Sequence, residues 1–402
     1  RHGLPLPFIF AGANLSFLGL GQVGRQNGVI FIRRSFNDNL VYKATLRHYI
    51  ATLINQKAHF MWALEGTRSR TGKLVWPKMG ILKYIFDGAQ ASGEEVKYVP
   101  VSIVYDLIPD VKEMTLQGRG KEKRAESLSW LMGYLRQLGD NFGRISLRIG
   151  EPLNMSDVQP KTIVDDFGTP AGYTGTVPRL AFKLVHQINE ITPVTTTSLI
   201  CNVLLSKYAL TKRAIESDIA ELMPLIENHN PHALVDRGTA IGKSVQEALD
   251  LLPRAKIIDS QGESLYTKYR IVSENYLSAI YYANMAAHHL YQRAFIELAG
   301  AHVANTQPAE RKLAFWTEIM ALRDLFKFEF FYSSKPSFSD EIEANLNLFW
   351  PEWQTQLASA DVDLLGLLRQ QKVLVAPTVL HTYIEAYRVV AHGLHKWQDL
   401  QP

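Results

Sequence analysis

Short apolar runs recur through the first 152 residues of the chain, each about as long as one strand. Several are apolar at every position instead of alternating with polar residues, which is typical of a sheet covered on both faces. The runs that we predict as strands are residues 7–12, 28–34, 59–66, 96–106 and 143–152.

The segments between these runs have helical spacing. Apolar residues line one side of a helix predicted over residues 38–56, with Asn37 or Asp38 as its N-cap, and further helices are predicted over 78–91 and 122–139. Strands that alternate with helices predict an α/β fold, in which helices flank the sheet.

The pattern changes after Pro152. Residues 153–176 are rich in Pro, Gly, Thr and Asp, which indicates a connection that passes over the surface. From residue 177 onward no segment has a convincing strand pattern, so we expect a mostly α-helical region. Its helical patterns lie at residues 215–226, 264–300, 311–331 and 378–396.

A chain of 402 residues is longer than one hydrophobic core usually fills. We therefore predict an α/β domain over residues 1–155, a connecting segment over 156–176 and a helical domain over 177–402. The single cysteine, Cys201, excludes an internal disulfide framework, and we expect it to be a small buried residue.

Charge is distributed unevenly along the chain. The overall formal charge is +4, but residues 1–155 carry +9 and the rest of the chain carries −5. A basic half requires an anionic partner: a phosphorylated small molecule, a nucleic acid or an acidic lipid surface.

Residues 4–24 contain no charged side chain, although their prolines and glycines argue against one straight helix. This segment is either a surface for lipid or an acyl chain, or a buried strand and turn. No run in the chain reaches the roughly 18 to 20 apolar residues of a membrane-spanning helix.

The sequence EGTRSRTGK, residues 65–73, begins at the end of the strand predicted over residues 59–66. Gly66 would turn the backbone and expose a basic segment at the carboxyl end of the strand, where ligands bind in open α/β sheets. Two arginines beside a lysine can hold a phosphate, and the alternative is a solvated basic loop with Glu65 in a local salt bridge. The residues that we expect to be exposed there are Arg68, Ser69, Arg70 and Lys73, and Thr67 is a further candidate for substrate binding.

Two other strands extend this prediction. In the run GVIFIRRSF, Arg33 and Arg34 follow the apolar residues of a predicted strand. Two predicted strands thus lead into arginines, and we expect these arginines to converge on one anion. Pro100, in VPVSI, cannot donate to a strand ladder and therefore marks an edge or a bulge. It is either part of a pocket wall or a plain edge-strand proline.

In this order, these segments resemble the glycerol-3-phosphate and dihydroxyacetone-phosphate acyltransferase family. The matching blocks are GVIFIR (28–33), EGTRSRTGK (65–73) and VPV (99–101), with flanking segments LPLPFIFAGANLSF and GKLVWPKMGIL. The resemblance is specific over residues 3–155 and weaker beyond them, where ITPVT (191–195) and LRDLFKFEFF (322–331) are the more suggestive pieces.

The family has one further block, a His followed after four residues by Asp, and this block is absent from the chain. In the family this block comes just before the stretch that corresponds to RHGLPLP, so we expect it upstream of Arg1. The catalytic residues are therefore not assigned in this chain.

The resemblance implies transfer of a fatty acyl group from acyl-coenzyme A or acyl-carrier protein to the sn-1 hydroxyl of glycerol-3-phosphate. The thioester is already activated, so no metal or redox cofactor is expected. Amphiphilic substrates imply a membrane surface as a partner, at the cytoplasmic face of the cell membrane if the source is bacterial. By resemblance, Arg33, Arg68, Arg70 and Lys73 would bind either the phosphate of the acceptor or the phosphates of the donor. Glu65 and Gly66 would shape the site or contact a hydroxyl of the acceptor.

Two alternatives remain at this point. Lysophosphatidic acid or dihydroxyacetone-phosphate acyltransferases share the same block layout. A nonenzymatic module that binds anionic lipid or nucleic acid would also use a basic half, but nucleic acid is disfavoured as a partner because the arginines do not interleave with aromatic residues.

The chain of residues 1–402 is expected to lack acyltransferase activity, because a general base for the hydroxyl is missing from it. A radiolabelled acyl-transfer assay of this chain, beside a protein extended upstream, checks the expectation. Equal rates for the two proteins would contradict it.

Overall fold

The computed structural model describes residues 5–13, 20–33, 39–118, 120, 141–155 and 175–398. Within them the amino-terminal region is mixed α/β and the carboxyl-terminal region is mostly helical, as predicted. The helix expected over 122–139, the N-cap candidates Asn37 and Asp38, and residues 156–174 of the connection lie outside the described residues.

A three-stranded parallel sheet forms the centre of the amino-terminal region. Its strands are β1 (Phe8–Gly12), β2 (Val29–Ile32) and β3 (Phe60–Met61), in the order β2-β1-β3. Ile9 pairs with both Val29 and Met61, so the three strands run side by side in the same direction. Residues 8–12 of the uncharged segment thus form the central strand, in which every residue is half-buried, and its residues 14–19 are not among those described.

Helices connect and cover these strands. Asn39 is the observed N-cap of α2, where its side chain accepts a hydrogen bond from the Tyr42 backbone N–H at 2.8 Å. Gly93 ends α3 in the left-handed conformation that favours glycine, with φ +69°. The helices of this region are α1 (Leu20–Gln26), α2 (Leu40–Asn55), α3 (Met79–Ser92) and α4 (Val111–Gly118).

Pro100 interrupts an antiparallel pair of strands. On one side β4 (Lys97–Tyr98) pairs with β7 (Leu153–Asn154), and on the other β5 (Val101–Tyr105) pairs with β6 (Ile145–Ile149). Tyr98 lies opposite Leu153 and Val101 opposite Ile149, so residues 99–100 face residues 150–152. This two-against-three mismatch is the bulge that the proline predicts.

The carboxyl-terminal region contains a helical array. Ile215, Ile219, Leu222 and Ile226 form the predicted stripe on α7 and are all buried. No helix of the described residues is both long enough and apolar enough to cross a membrane. The helices are α5 (Thr176–Ile191), α6 (Thr196–Ser206), α7 (Lys212–His229), α8 (Ile241–Leu251), α9 (Tyr276–Asn284), α10 (Ala287–His302), α11 (Pro308–Leu325), α12 (Lys335–Phe349), α13 (Trp353–Ala358), α14 (Leu364–Arg369), α15 (Ala376–Val379) and α16 (His381–Gln398).

The expectation that this region contains no strand is wrong. An antiparallel sheet of β8 (Leu210–Thr211), β10 (Lys268–Ile271) and β9 (Ile258–Gln261) precedes α9. The helix predicted over 264–300 is therefore shorter at its start and is divided into α9 and α10. Gly262 has φ +103° and turns the chain between β9 and β10. This backbone conformation is not helical.

Two hydrophobic cores join the regions on either side of the connection. Leu180 and Leu184 of α5 pack with the buried faces of α2 and α3. In the opposite direction, Val104 of β5 and Met114 of α4 belong to the large core of the helical array. Each region thus completes the core of the other.

Cys201 on α6 is fully buried, and burial raises the pKa of its thiol. Since the thiolate is the reactive species, we expect no labelling by a thiol reagent in the native protein and one labelled thiol per chain after unfolding. Ellman's reagent with and without guanidinium measures both values. Rapid labelling of the native protein would contradict this placement.

A histidine cluster lies where α5, α7 and α10 meet. His229 bonds to Glu190 at 3.1 Å, and the ring of His289 lies 5.0 Å from that of His229 and 4.1 Å from that of His288. Burial, reinforced by the charge of His229, lowers the pKa of His288 to about 4. Burial also lowers the pKa of His289, so these two rings are neutral in the native state.

These neutral histidines predict a loss of stability in acid. The folded-state pKa of His288 is below its unfolded value, so its stabilising effect is present above pH 6.5 and is lost as the pH falls toward 4. We expect this ring alone to reduce the free energy of unfolding by about 2 kcal/mol between pH 7 and pH 5. His288→Gln should flatten that dependence in urea titrations, whereas His48→Gln on the exposed face of α2 should not. Parallel curves for both variants and the parent would contradict the placement of His288.

Candidate active site

The carboxyl ends of β1, β2 and β3 lie at one edge of the parallel sheet. Arg33 directly follows β2, and Glu65 lies four residues beyond the end of β3. The segments that follow β2 and β3 therefore leave the sheet at the edge where open α/β sheets bind ligands. Arg34 lies outside the described residues.

Glu65 closes a basic loop, which we define as residues 65–75. Its Oε1 accepts a hydrogen bond from the Val75 backbone N–H at 2.7 Å, which joins the two ends of the loop. Burial raises the pKa of Glu65, and the hydrogen bond from Val75 opposes that shift. The carboxylate therefore shapes the loop, and its Oε1 is directed into the loop itself.

Gly66 makes the turn that starts the loop. Its φ is +65°, and its N–H donates to the Ala63 carbonyl at 2.9 Å. A Cβ at this position would lie 2.9 Å from Cδ of Lys78, so both the conformation and the space favour glycine.

Ser69 fixes a tighter turn inside the basic loop. Its hydroxyl donates to the Lys73 carbonyl at 2.8 Å and accepts from the Gly72 N–H at 3.0 Å. Thr67 precedes this turn, and its side chain is exposed. Arg70 lies within the turn, so its backbone is held from both sides.

The three cations of the loop have different environments. Arg68 forms an ion pair with Asp110, at the start of α4, and remains 57% exposed. Lys73 is only 11% exposed and pairs with Glu329 of the helical region, so it is not the exposed cation that the sequence predicts. Arg70 is exposed, and it has no ion-pair partner among the described residues.

Arg33 is a second exposed arginine at this edge. Its backbone N–H donates to the Tyr42 hydroxyl at 3.2 Å, and its guanidinium lies 5.2 Å from the centre of the Tyr42 ring. Within the described part of the chain, no carboxylate pairs with it. The arginine is thus oriented by an aromatic ring and keeps its hydrogen-bond donors for another acceptor.

Pro100 is buried at the junction of β4 and β5. Its carbonyl accepts from the Gly150 N–H at 2.9 Å, and a Cβ at Gly150 would lie 2.9 Å from its Cγ. The structure therefore assigns Pro100 contacts within the strand bulge.

The residues that dock the basic loop on the helical region were not predicted. Asn284 of α9 donates to the Thr71 carbonyl at 2.8 Å, and a Cβ at Gly72 would lie 1.9 Å from the Tyr281 carbonyl oxygen. The Trp76 indole donates to the Phe328 carbonyl at 3.0 Å. Part of this contact involves the segment LRDLFKFEFF, which contains Phe328 and Glu329 and which already showed a weak resemblance to the family.

The exposed cations of this region are two arginines. Arg33 and Arg70 supply planar donor groups that suit phosphate oxygens. His59, the histidine nearest to the loop in sequence, precedes β3 and so lies at the opposite edge of the sheet. In the described residues no group of three or more His, Cys, Asp or Glu side chains is arranged to hold a metal ion.

Comparisons with known proteins cover nearly the whole chain. Residues 1–104 match the family described as acyltransferase, and residues 114–402 match the family described as glycerol-3-phosphate acyltransferase C-terminal region. The second match includes the helices that dock the basic loop.

Curated relatives agree with these matches. Proteins described as putative acyltransferase plsB1, from Mycobacterium tuberculosis and Mycobacterium bovis, are 33% identical over 394 residues, which is 97% of this chain and 63% of each relative. The glycerol-3-phosphate acyltransferase of Ectopseudomonas mendocina is 30% identical over 302 residues, 72% of this chain and 36% of that protein. The chain thus spans less than two thirds of the length of these relatives. By its match over residues 114–402, the chain belongs to the glycerol-3-phosphate acyltransferase family.

Proposed function

We propose that the protein transfers a fatty acyl group from a thioester to the sn-1 hydroxyl of glycerol-3-phosphate. The observation that carries this proposal is that Arg33, directly after β2, and Arg70, on the basic loop that follows β3, are both exposed in a chain of this family. The donor is acyl-coenzyme A or acyl-carrier protein, and the thioester supplies the activation without a metal or redox cofactor.

Arg70 and Arg33 bind the acceptor phosphate in this proposal. Both guanidinium groups are exposed, and each has donors that the described protein groups do not use. Arg68 makes a weaker contribution, because Asp110 already neutralises part of its charge. Glu65, Gly66 and Ser69 determine where these arginines point, through the hydrogen bonds that close the loop.

The acyl transfer itself requires a base. Residues 1–402 do not contain the His-x4-Asp block of the family. By resemblance, the histidine of that block would take the proton of the sn-1 hydroxyl while the oxygen attacks the thioester carbonyl. The tetrahedral intermediate then collapses, the carbon–sulfur bond breaks, and the thiolate takes the proton from the histidine. Acyl-glycerol phosphate and free thiol are the products.

The amphiphilic donor and product place the protein at a membrane surface in this proposal, at the cytoplasmic face. Such attachment is interfacial in kind, by apolar contact and by attraction of basic residues to anionic lipid. The charge of +9 on residues 1–155 supports this association.

Arg70→Ala in the full-length gene product is expected to raise the KM for glycerol-3-phosphate more than tenfold. A charge-assisted contact to phosphate contributes roughly 1.5 to 3 kcal/mol, which corresponds to a change of this size. Steady-state kinetics with varied acceptor and saturating donor measure it. Arg47→Ala is the matched control, because Arg47 is exposed on α2 and pairs with Asp87.

Arg33→Ala is expected to raise the same KM more than tenfold and to leave the KM for the acyl donor unchanged, because Arg33 has no carboxylate partner among the described residues. Tyr42→Phe, which removes the hydroxyl but keeps the ring under the guanidinium, should change it less than threefold. An acceptor KM that neither arginine variant alters would exclude the phosphate assignment.

A further inference from the structure

We propose that the helical carboxyl-terminal region positions the phosphate-binding Arg70, and that Glu329 is the positioning residue through its ion pair with Lys73. This inference rests on the proposed function, since it assigns Arg70 the acceptor phosphate. It gives the helical region a role in the reaction and removes Lys73 from the set of substrate ligands.

Lys73 is enclosed by the helical region. Its Nζ donates to the backbone carbonyl of Glu329 at 2.7 Å and pairs with the Glu329 carboxylate. The same ammonium lies 4.5 Å from the ring centre of Tyr383 and 5.4 Å from that of Phe330. A carboxylate, a carbonyl and two aromatic faces thus occupy the directions in which a phosphate would have to approach.

Glu329 is itself held in place. The Tyr387 hydroxyl of α16 donates to its Oε1 at 3.0 Å, while its other carboxylate oxygen pairs with Lys73. Burial lowers the pKa of Lys73, and the charge and hydrogen bond of Glu329 oppose this shift. Removal of the carboxylate would leave a buried ammonium without its counter-charge, which is a strongly unfavourable state.

The link from Lys73 to Arg70 is short and rigid. Ser69 bonds both to the Lys73 carbonyl and to the Gly72 N–H, which closes the turn around Arg70. Asn284 holds the carbonyl of Thr71, the residue directly after Arg70. A displacement of Lys73 from Glu329 would therefore open the turn that carries Arg70.

The remaining contacts of the loop distinguish positioning from folding. Gly72 and Trp76 dock the loop on Tyr281 and Phe328 without any help from Lys73. Loss of the ion pair should therefore leave the loop attached but its turn less ordered. Arg70 would then lose conformational entropy on binding phosphate, which weakens binding of the acceptor before it affects the chemical step.

Glu329→Gln in the full-length gene product tests the inference. We expect the KM for glycerol-3-phosphate to rise five- to twentyfold, with kcat and the KM for the acyl donor within twofold of the parent. Tyr387→Phe removes one hydrogen bond from Glu329 and should raise the acceptor KM two- to threefold. Glu343→Gln is the matched control, because it makes the same change at an exposed position of α12.

A double variant separates positioning from a general loss of structure. If Glu329 acts through Arg70, Glu329→Gln should raise the acceptor KM less than twofold in an Arg70→Ala background. A full five- to twentyfold rise in that background would overturn the inference. An equal rise in the KM values of both substrates, together with a lower melting temperature, would also overturn it, because this would indicate damage to the whole fold.

The experiment also distinguishes the inference from the function on which it rests. An unchanged acceptor KM in Glu329→Gln, with a raised one in Arg70→Ala, overturns the positioning role and leaves the phosphate site intact. An unchanged KM in Arg70→Ala overturns the phosphate assignment itself. If Glu329→Gln fails to fold, Tyr387→Phe decides, and an unchanged acceptor KM in that variant overturns the inference.

Discussion

The partly buried ion pair between Lys73 and Glu329 connects two parts of the chain that are 256 residues apart in sequence. Its energetics are asymmetric: an ion pair removed from water contributes little net stability, but loss of one partner leaves an uncompensated charge. The pair therefore acts as a constraint on conformation more than as a source of stability. Arrangements of the basic loop that separate Lys73 from Glu329 are therefore disfavoured.

This constraint operates together with the geometry of the sheet. Parallel strands bring Arg33 and the basic loop to one edge, although the topology alone does not determine how the loop folds there. Glu65 and Ser69 close the loop from within, and Asn284 and Glu329 hold it from outside. The conformation of the loop therefore depends on two regions of the chain, whose cores also interlock.

Much of this arrangement was predictable from local sequence. The parallel strands follow from their apolar runs, the turn at Gly66 from the glycine after a strand, and the bulge at Pro100 from the missing N–H. The antiparallel sheet β8-β10-β9 was not, because strands such as IDSQ and KYRI are short and lack regular alternation. Such strands depend on tertiary contacts that local propensity does not encode.

The environment of Lys73 was unpredictable for a related reason. A run of basic residues on a loop is expected to be solvated, and nothing within the run shows that a carboxylate of a distant segment meets one member of it. The tertiary partner is visible only after the helical region has folded against the loop.

The division of roles among the loop cations follows from the chemistry of the two side chains. Lysine carries a compact charge on a flexible stem, which fits between a carboxylate and two aromatic rings. Arginine presents a planar set of donors that matches a phosphate in two-pronged fashion, so its value for binding depends on a fixed orientation. A lysine that anchors and an arginine that remains exposed, three residues apart in one closed turn, therefore use each side chain for the task that its geometry suits.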